Sequence, residues 1–231
     1  GGQFQNPLGE GADFITASTH KTFPGPQGGV ILSNCEDQEA IRNVQRAVFP
    51  LTTSNTHLAR LPAVGLAALE LKIFGEDLAE QTIKNAKSAA EYLFQQGIQV
   101  LGERMGFTES HQIAVDVVEY GGGKKVANQL EKANIIVNKN MLPYDNPNSI
   151  DNPSGIRIGF QDVTRRGLKE DDIQHLCDLI VSVITKKKDP SVVKKDSVLL
   201  RQDFREIQYG FQSIQEATEY ALNLVKKSSD W

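Results

Sequence analysis

Two β-type runs separated by a connection packed with proline and glycine constrain this chain most. Asp13-Phe14-Ile15-Thr16-Ala17-Ser18 alternates Ile15 and Ala17 with Thr16 and Ser18, the period of a strand. Gly28-Gly29-Val30-Ile31-Leu32 reads as a second strand. Between them Pro24 and Pro26 stiffen the backbone, while Gly25, Gly28 and Gly29 let it approach a ligand closely. Thr19-His20-Lys21-Thr22 is delivered at the mouth of this connection, so Lys21 stands on a rigid mount. A partly desolvated lysine amine adds to aldehydes; a lysine in a turn is otherwise a solvated charge.

A second segment isolates one arginine. In an extended Gly155-Ile156-Arg157-Ile158-Gly159-Phe160, the residues Ile156, Ile158 and Phe160 share one face, and Gly155, Arg157 and Gly159 the other. Flanking glycines leave the guanidinium fork open to a planar carboxylate. The alternative is a structural ion pair with an acidic neighbour.

The remaining pattern predicts a helix from Glu36 to Ala47, then two helices, His57 to Phe74 and Glu76 to Gln96, with Pro62 marking a first turn or a kink. Leu78, Ala86, Ala89, Ala90 and Leu93 fall on one face of the second, and Gly97 reads as its left-handed stop. Ile113, Val115 and Val117 define a half-buried strand, and Gly121-Gly122-Gly123 leads into a helix with Val126, Ala127, Leu130 and Ala133. Strands are expected at Ile135 to Asn138 and Gly155 to Phe160. A helix from Lys169 to Lys186 carries acids at its start and the run Lys186-Lys187-Lys188 at its end, where cations suit the helix dipole. A last helix, opened by Ser213 and Glu216 in capping-box spacing, should bury Ile214, Ala217, Ala221 and Leu224 and reach almost to Trp231.

Composition narrows the partners. With 25 basic and 29 acidic side chains, a net charge of −4 and a pI near 5.6, no nucleic-acid surface is expected. No apolar run approaches the roughly 20 residues a bilayer span needs, and no leader pattern is present, so a cytoplasmic protein without a membrane role is expected. Cys35 and Cys177 lack metal-ligand spacing, and Cys177 lies on the apolar stripe of its helix as a buried thiol.

The ordered segments Ala17 to Gly29, Ile136-Val137-Asn138-Lys139-Asn140, and Ser154 to Gly159 followed by Val163-Thr164-Arg165-Arg166-Gly167-Leu168-Lys169-Glu170 resemble the serine hydroxymethyltransferase family. The resemblance implies an α/β protein: the remnant of a fold-type-I pyridoxal-phosphate transferase large domain, with a C-terminal α+β small domain whose short, mainly antiparallel sheet is covered by helices. The domains implied are residues 1–56 for the remnant, 57–97 for linking helices and 98–231 for the small domain. It implies that Lys21 holds pyridoxal 5'-phosphate as a Schiff base and that His20, Ser18 and Thr19 lie on the cofactor side. Arg157 binds the carboxylate of serine or glycine, and Asn140 contacts the tetrahydrofolate co-substrate. A homodimer with a shared active site is implied as well. Ser18 and Thr19 read from the residues alone can equally tie down the turn, and Asn138 can satisfy loop backbone groups. His57, His111 and His175 are read as structural.

The chain opens on Gly1 a few residues before a strand that belongs inside a sheet, so it reads as a C-terminal piece with most of the cofactor's seat upstream. Three departures from the family stand out. Ala47-Val48-Phe49-Pro50 runs into Leu51-Thr52-Thr53-Ser54-Asn55-Thr56-His57 where the family carries a phosphate-binding glycine pair, leaving hydroxyls and an amide as substitutes. Gln27 stands where many members carry arginine, and Asn148 to Pro153 replaces the family's folate-binding stretch. The alternatives are another pyridoxal-phosphate-dependent lyase or transferase of β-hydroxy amino acids, such as an α-methylserine transferase or a threonine-type aldolase, or a noncatalytic folded piece that binds no cofactor.

Overall fold

The structure is a computed structural model and describes residues 1–55 and 57–228. It resolves into two compact units, residues 1–76 with 210–231 and residues 77–209.

In the first unit, β1 (Phe14–His20) and β2 (Pro24–Ser33) form an antiparallel hairpin. The sequence suggested the tail of a parallel or mixed sheet; the described residues contribute instead a two-stranded ribbon paired from Phe14↔Ser33 to Ser18↔Gly29. α1 (Gln38–Arg46) starts later than its predicted Glu36 because the Asp37 carboxylate caps it, accepting the N–H groups of Glu39 at 2.8 Å and Ala40 at 3.3 Å. Among the described residues of this unit outside glycine, Thr19 and Ala67 are the buried side chains, whereas Phe4, Leu51 and Leu58 stay more than half exposed. An isolated hairpin is marginal in water, and nothing in these residues gives it a core of its own.

α2 (Leu61–Gln95) is one continuous helix where two were expected. Gly75 does not break it, because one helical glycine costs only about 1 kcal/mol against the Ala- and Leu-rich turns on either side. Pro62 sits in its first turn, without a kink being needed. The helix stops as predicted at Gly97, which has φ +82°, while the Ile98 N–H reaches back to the Leu93 carbonyl at 3.0 Å. α7 (Ile214–Ser228) opens with the Ser213 hydroxyl accepting the Glu216 N–H, as its spacing predicted. Its packing differs: Ile214 is 87% exposed, Ala221 is exposed and Ala217 half-buried, and the Leu224 side chain lies outside the described residues. The stripe is rotated towards Tyr220, whose ring meets Phe211 at 5.6 Å, and Phe211 meets Phe74 edge-on at 5.6 Å.

The second unit is a three-stranded antiparallel sheet in the order β3 (Gln112–Asp116), β5 (Gly155–Gly159), β4 (Asn138–Asn140). α3 (Gly123–Lys132), α5 (Glu170–Ile184), α6 (Pro190–Asp203) and the second half of α2 share its hydrophobic core; α4 (Gln161–Arg165) follows β5 directly. Val115, Leu130, Ile156, Phe160, Ile173 and Cys177 are all at most 1% exposed. Burial pushes the Cys177 thiol up to about 12, so it is inert, as its place in the pattern suggested.

β4 begins three residues later than predicted. Asn134, at φ +59°, and Ile135, whose N–H bonds the Leu130 carbonyl at 2.9 Å, are consumed in ending α3, and the ladder starts only at Asn138. The lysine run follows α5 rather than lying in its last turn: Lys186 is already at φ +57°, and Lys188 pairs with Asp196 at 3.8 Å. α6 was not anticipated, although Asp189 caps it by accepting the Ser191 N–H and Pro190 fills its first position.

A buried polar network ties the end of β5 to α2. Asn85, fully buried, donates to the Thr164 hydroxyl at 2.9 Å and the Leu168 carbonyl at 2.8 Å, and accepts from Gln81 at 3.0 Å. Asn85→Ala leaves those partners unsatisfied and is expected to lower unfolding free energy by about 3 kcal/mol in urea titration. Two glycines should respond oppositely. A Cβ on Gly123 would lie 2.0 Å from the Gly155 carbonyl oxygen, so Gly123→Ala should destabilise by about 1–3 kcal/mol. Gly65, in α2 with open space around it, should gain about 1 kcal/mol as Gly65→Ala in the same assay.

Candidate active-site residues

Lys21 sits in the three-residue turn Lys21-Thr22-Phe23 that closes the hairpin, after the pair His20↔Pro24. Between Ser18↔Gly29 and His20↔Pro24 the register slips, leaving Gly25 to Gly28 opposite Thr19 alone. This bulge is why the glycines are there: a Cβ at Gly25 would lie 2.9 Å from the Thr19 carbonyl oxygen. The Thr19 hydroxyl, 3% exposed, donates to the Pro26 carbonyl at 2.7 Å, and Arg60 donates to the Gln27 carbonyl at 2.9 Å. Of its two readings, Thr19 takes the turn-tying one here. The Gly28 N–H points at His20 Nδ1 over a long 3.4 Å, which leaves Nε2 as the donor of the neutral ring. Ser18 is half-buried, and Lys21 is exposed with no ion pair among the described residues.

The loop after Pro50 spends its hydroxyls locally. Thr52 Oγ1 donates to the Ala47 carbonyl at 2.7 Å and Thr53 Oγ1 to the Val48 carbonyl at 2.5 Å. These protons are committed to closing the turn and are not free for a phosphate, while Thr56 lies outside the described residues.

In the second unit, cross-strand pairing sets Arg157 between Ala114 on β3 and Asn138 on β4, and Gly155 between Asp116 and Asn140. Arg157, Asn138 and Asn140 therefore share one sheet face, opposite the core face of Ile156 and Ile158. Arg157 is exposed, donates to Asn138 Oδ1 at 3.3 Å, and has no carboxylate partner among the described residues. The structural ion pair is thus not found. The face is not bare on either side, however: an added Cβ would lie 2.5 Å from Leu142 Cδ2 at the buried Gly155 and 2.8 Å from Gln161 Oε1 at Gly159. The Asn140 amide donates to the Met141 carbonyl at 2.7 Å, and its neighbour Lys139 ties down the loop through the Ile150 and Asp151 carbonyls.

Several groups around Arg157 escaped the sequence reading. Asp145 accepts the Leu142 and Ser154 N–H groups, each at 2.9 Å, and the Ser154 hydroxyl, which together fix the chain as it turns into β5. The Ser154 hydroxyl and the Leu142 N–H hold its carboxyl below the usual carboxylate value. The Tyr144 hydroxyl donates to Asp116; burial first, then that carboxylate, pushes its pKa up to about 12. His111, read as structural, is half-buried, and its pKa is lowered by burial and by the charge of Arg157. The Asp145 signal was legible as an Asp before a turn, but its partner nine residues away was not.

The sequence model of the serine hydroxymethyltransferase family matches residues 1–180. The chain is 48% identical over 223 residues to a serine hydroxymethyltransferase of Saccharolobus islandicus, covering 96% of this chain and 51% of that protein. It is 51% identical over 209 residues to that of Staphylothermus marinus, covering 90% and 47%, and 51% over 219 residues to that of Pyrobaculum calidifontis, covering 95% and 50%. A crystal structure of L-threonine transaldolase from Pseudomonas fluorescens superposes with TM-score 0.82 at 33% identity, covering 91% of this chain and 47% of that one. The fold is that of the fold-type-I pyridoxal-phosphate transferases. The chain belongs to the serine hydroxymethyltransferase family and spans about half the length of the curated relatives it matches. Among the described residues no helix is long and apolar enough to cross a membrane.

The Asp145 clamp predicts a pH signature. A carboxyl whose pKa is lower folded than unfolded stabilises the fold above the unfolded value and loses that contribution as pH falls through the folded one. Asp145→Asn should therefore be less stable than wild type at neutral pH, with the gap closing below about pH 3.8, the group's ordinary value, in urea unfolding followed from pH 7 to 2.5.

Proposed function

We propose that the protein carrying this chain is a pyridoxal-phosphate-dependent serine hydroxymethyltransferase, which reversibly moves the hydroxymethyl carbon of serine to tetrahydrofolate and leaves glycine. The observation that carries this reading, beyond family membership, is Arg157: an exposed guanidinium without an acidic partner among the described residues. Such a fork accepts a substrate carboxylate through two parallel hydrogen bonds, with Asn138 holding one end of it. The residues present suit the cofactor. Lys21 offers an amine that no ion pair among the described residues holds, on a turn whose bulge is pinned by Thr19 and Arg60.

In this reading Lys21 carries the cofactor aldehyde, and Ser18 and His20 line the cofactor side, while Thr19 holds the turn. Pyridoxal phosphate supplies, when bound, the electron sink that carbon–carbon cleavage beside an amino group requires. Arg157 fixes the orientation of serine and thereby selects the bond that breaks. Asn140, on the face of Arg157, meets the pterin. Residues 1–56 then belong to the cofactor-binding large domain, 57–97 to linking helices and 98–231 to the small domain, in a cytoplasmic homodimer.

Borohydride reduction of the cofactor-loaded protein followed by peptide mass mapping is expected to place the phosphopyridoxyl group on Lys21 and to find none in Lys21→Ala; an adduct on another lysine overturns the assignment. Arg157→Ala should raise the KM for serine on the order of 10²-fold, the usual cost of removing one partner of a charged pair. Tetrahydrofolate should accelerate exchange of the glycine α-proton; indifference to it favours the threonine-type alternative.

A further inference from the structure

A groove of about 780 Å³ opens in the second unit between the segment 134–137 that leads into β4, the end of β5, α5 and α6. Its floor is core: Ile135, Ile158, Phe160, Leu168 and Ile180, each at most 7% exposed. Its lips are apolar and wet, with Ile136 76% and Val198 41% exposed. The volume lies within the range of small-molecule sites, which combine an apolar lining with a few polar groups that orient the ligand.

The polar groups here are guanidiniums. Arg166, Arg201 and Arg205 line the groove beside the single carboxylate Asp162. Asp162 is already paired with Arg166 at 3.3 Å. Arg201 spends one N–H on the Phe204 carbonyl, and neither it nor Arg205 has an acidic partner among the described residues. In a chain of net charge −4, two unpaired cations at the mouth of an apolar groove select an anion with an apolar body.

We propose that this groove binds a medium-chain aliphatic carboxylate, its chain along Ile158, Phe160 and Leu168 and its head at Arg201 and Arg205. A neutral alcohol of equal length loses the head contact, and an ammonium is repelled.

The test is calorimetric titration of the full chain with decanoate, decanol and decylammonium below their aggregation concentrations. Decanoate should bind at one site per chain with a dissociation constant on the order of 10–100 μM, as expected of a ligand of its size. The double variant Arg201→Gln/Arg205→Gln should weaken it on the order of tenfold, and Val198→Trp, which fills the groove from an exposed position, should abolish it while circular dichroism stays that of wild type. Phe4→Ser, which removes an exposed apolar side chain of the first unit, should leave the constant unchanged. Equal affinity for decanol, several equivalent weak sites, or binding unaffected by Val198→Trp overturns the proposal. So does a chain that self-associates in sedimentation, becomes monomeric only as Val198→Glu and ignores decanoate, because the groove then belongs to a second copy.

Discussion

One short strand answers two opposite demands. β5 must bury Ile156 and Ile158, with Phe160 just beyond its end, to close the core of the second unit, and it must hold Arg157 out on the other face, where no carboxylate among the described residues pairs with it. The alternation of side chains along a strand makes both possible within five residues, and a slip of one residue would drive the guanidinium into the core. Everything nearby guards that register. β3 and β4 pair on both sides of β5, Asp145 fixes the residue before it, and Asn85 with Thr164 fixes the helix after it. Each device satisfies backbone or side-chain groups that would otherwise be buried unpaired, so stability and positioning come from the same bonds.

Lys21 is mounted by a different device with the same logic. Its hairpin has almost no core, so position cannot come from packing; it comes from hydrogen bonds across a bulge, with the Thr19 hydroxyl and Arg60 each holding a carbonyl of Gly25 to Gly28. Glycine permits both arrangements, yet its roles differ. Gly25 lets two backbones approach, Gly155 makes room for Leu142, and Gly159 makes room for the side chain of Gln161.

What the sequence made legible follows from what is local. The alternation in β3 and β5, the helical stripes of α2 and α5, the stop at Gly97 and the Ser213 cap all depend on residues within one turn or one strand, and they stand where the pattern put them. What failed was set by neighbours distant in the chain or by competition between adjacent elements. The beginning of β4 was taken by the end of α3, the rotation of α7 was set by Phe211 and Tyr220, and the covering of Gly155 by Leu142 needs a contact thirteen residues away. The candidate site divides the same way: Lys21 and Arg157 were visible as types in telling surroundings, whereas the Asp145 clamp and the lack of a carboxylate partner for Arg157 among the described residues exist only in three dimensions.

The distribution of burial bears on how the two clusters work. The second unit owns a dense core, and its arginine face is pre-set by bonds that no ligand needs to form. A ligand carboxylate meeting that face gives up little ordering free energy on binding, which is where preorganised sites gain affinity. The first unit leaves Leu51 at 81% exposed and Phe4 at 62%, so its bulge is held by a few hydrogen bonds with little packing around them. Hydrogen bonds of that kind open locally at much lower free energy than a packed core does. The lysine turn is therefore the part of this chain whose geometry depends most on what covers it, and the arginine strand the part that depends on it least.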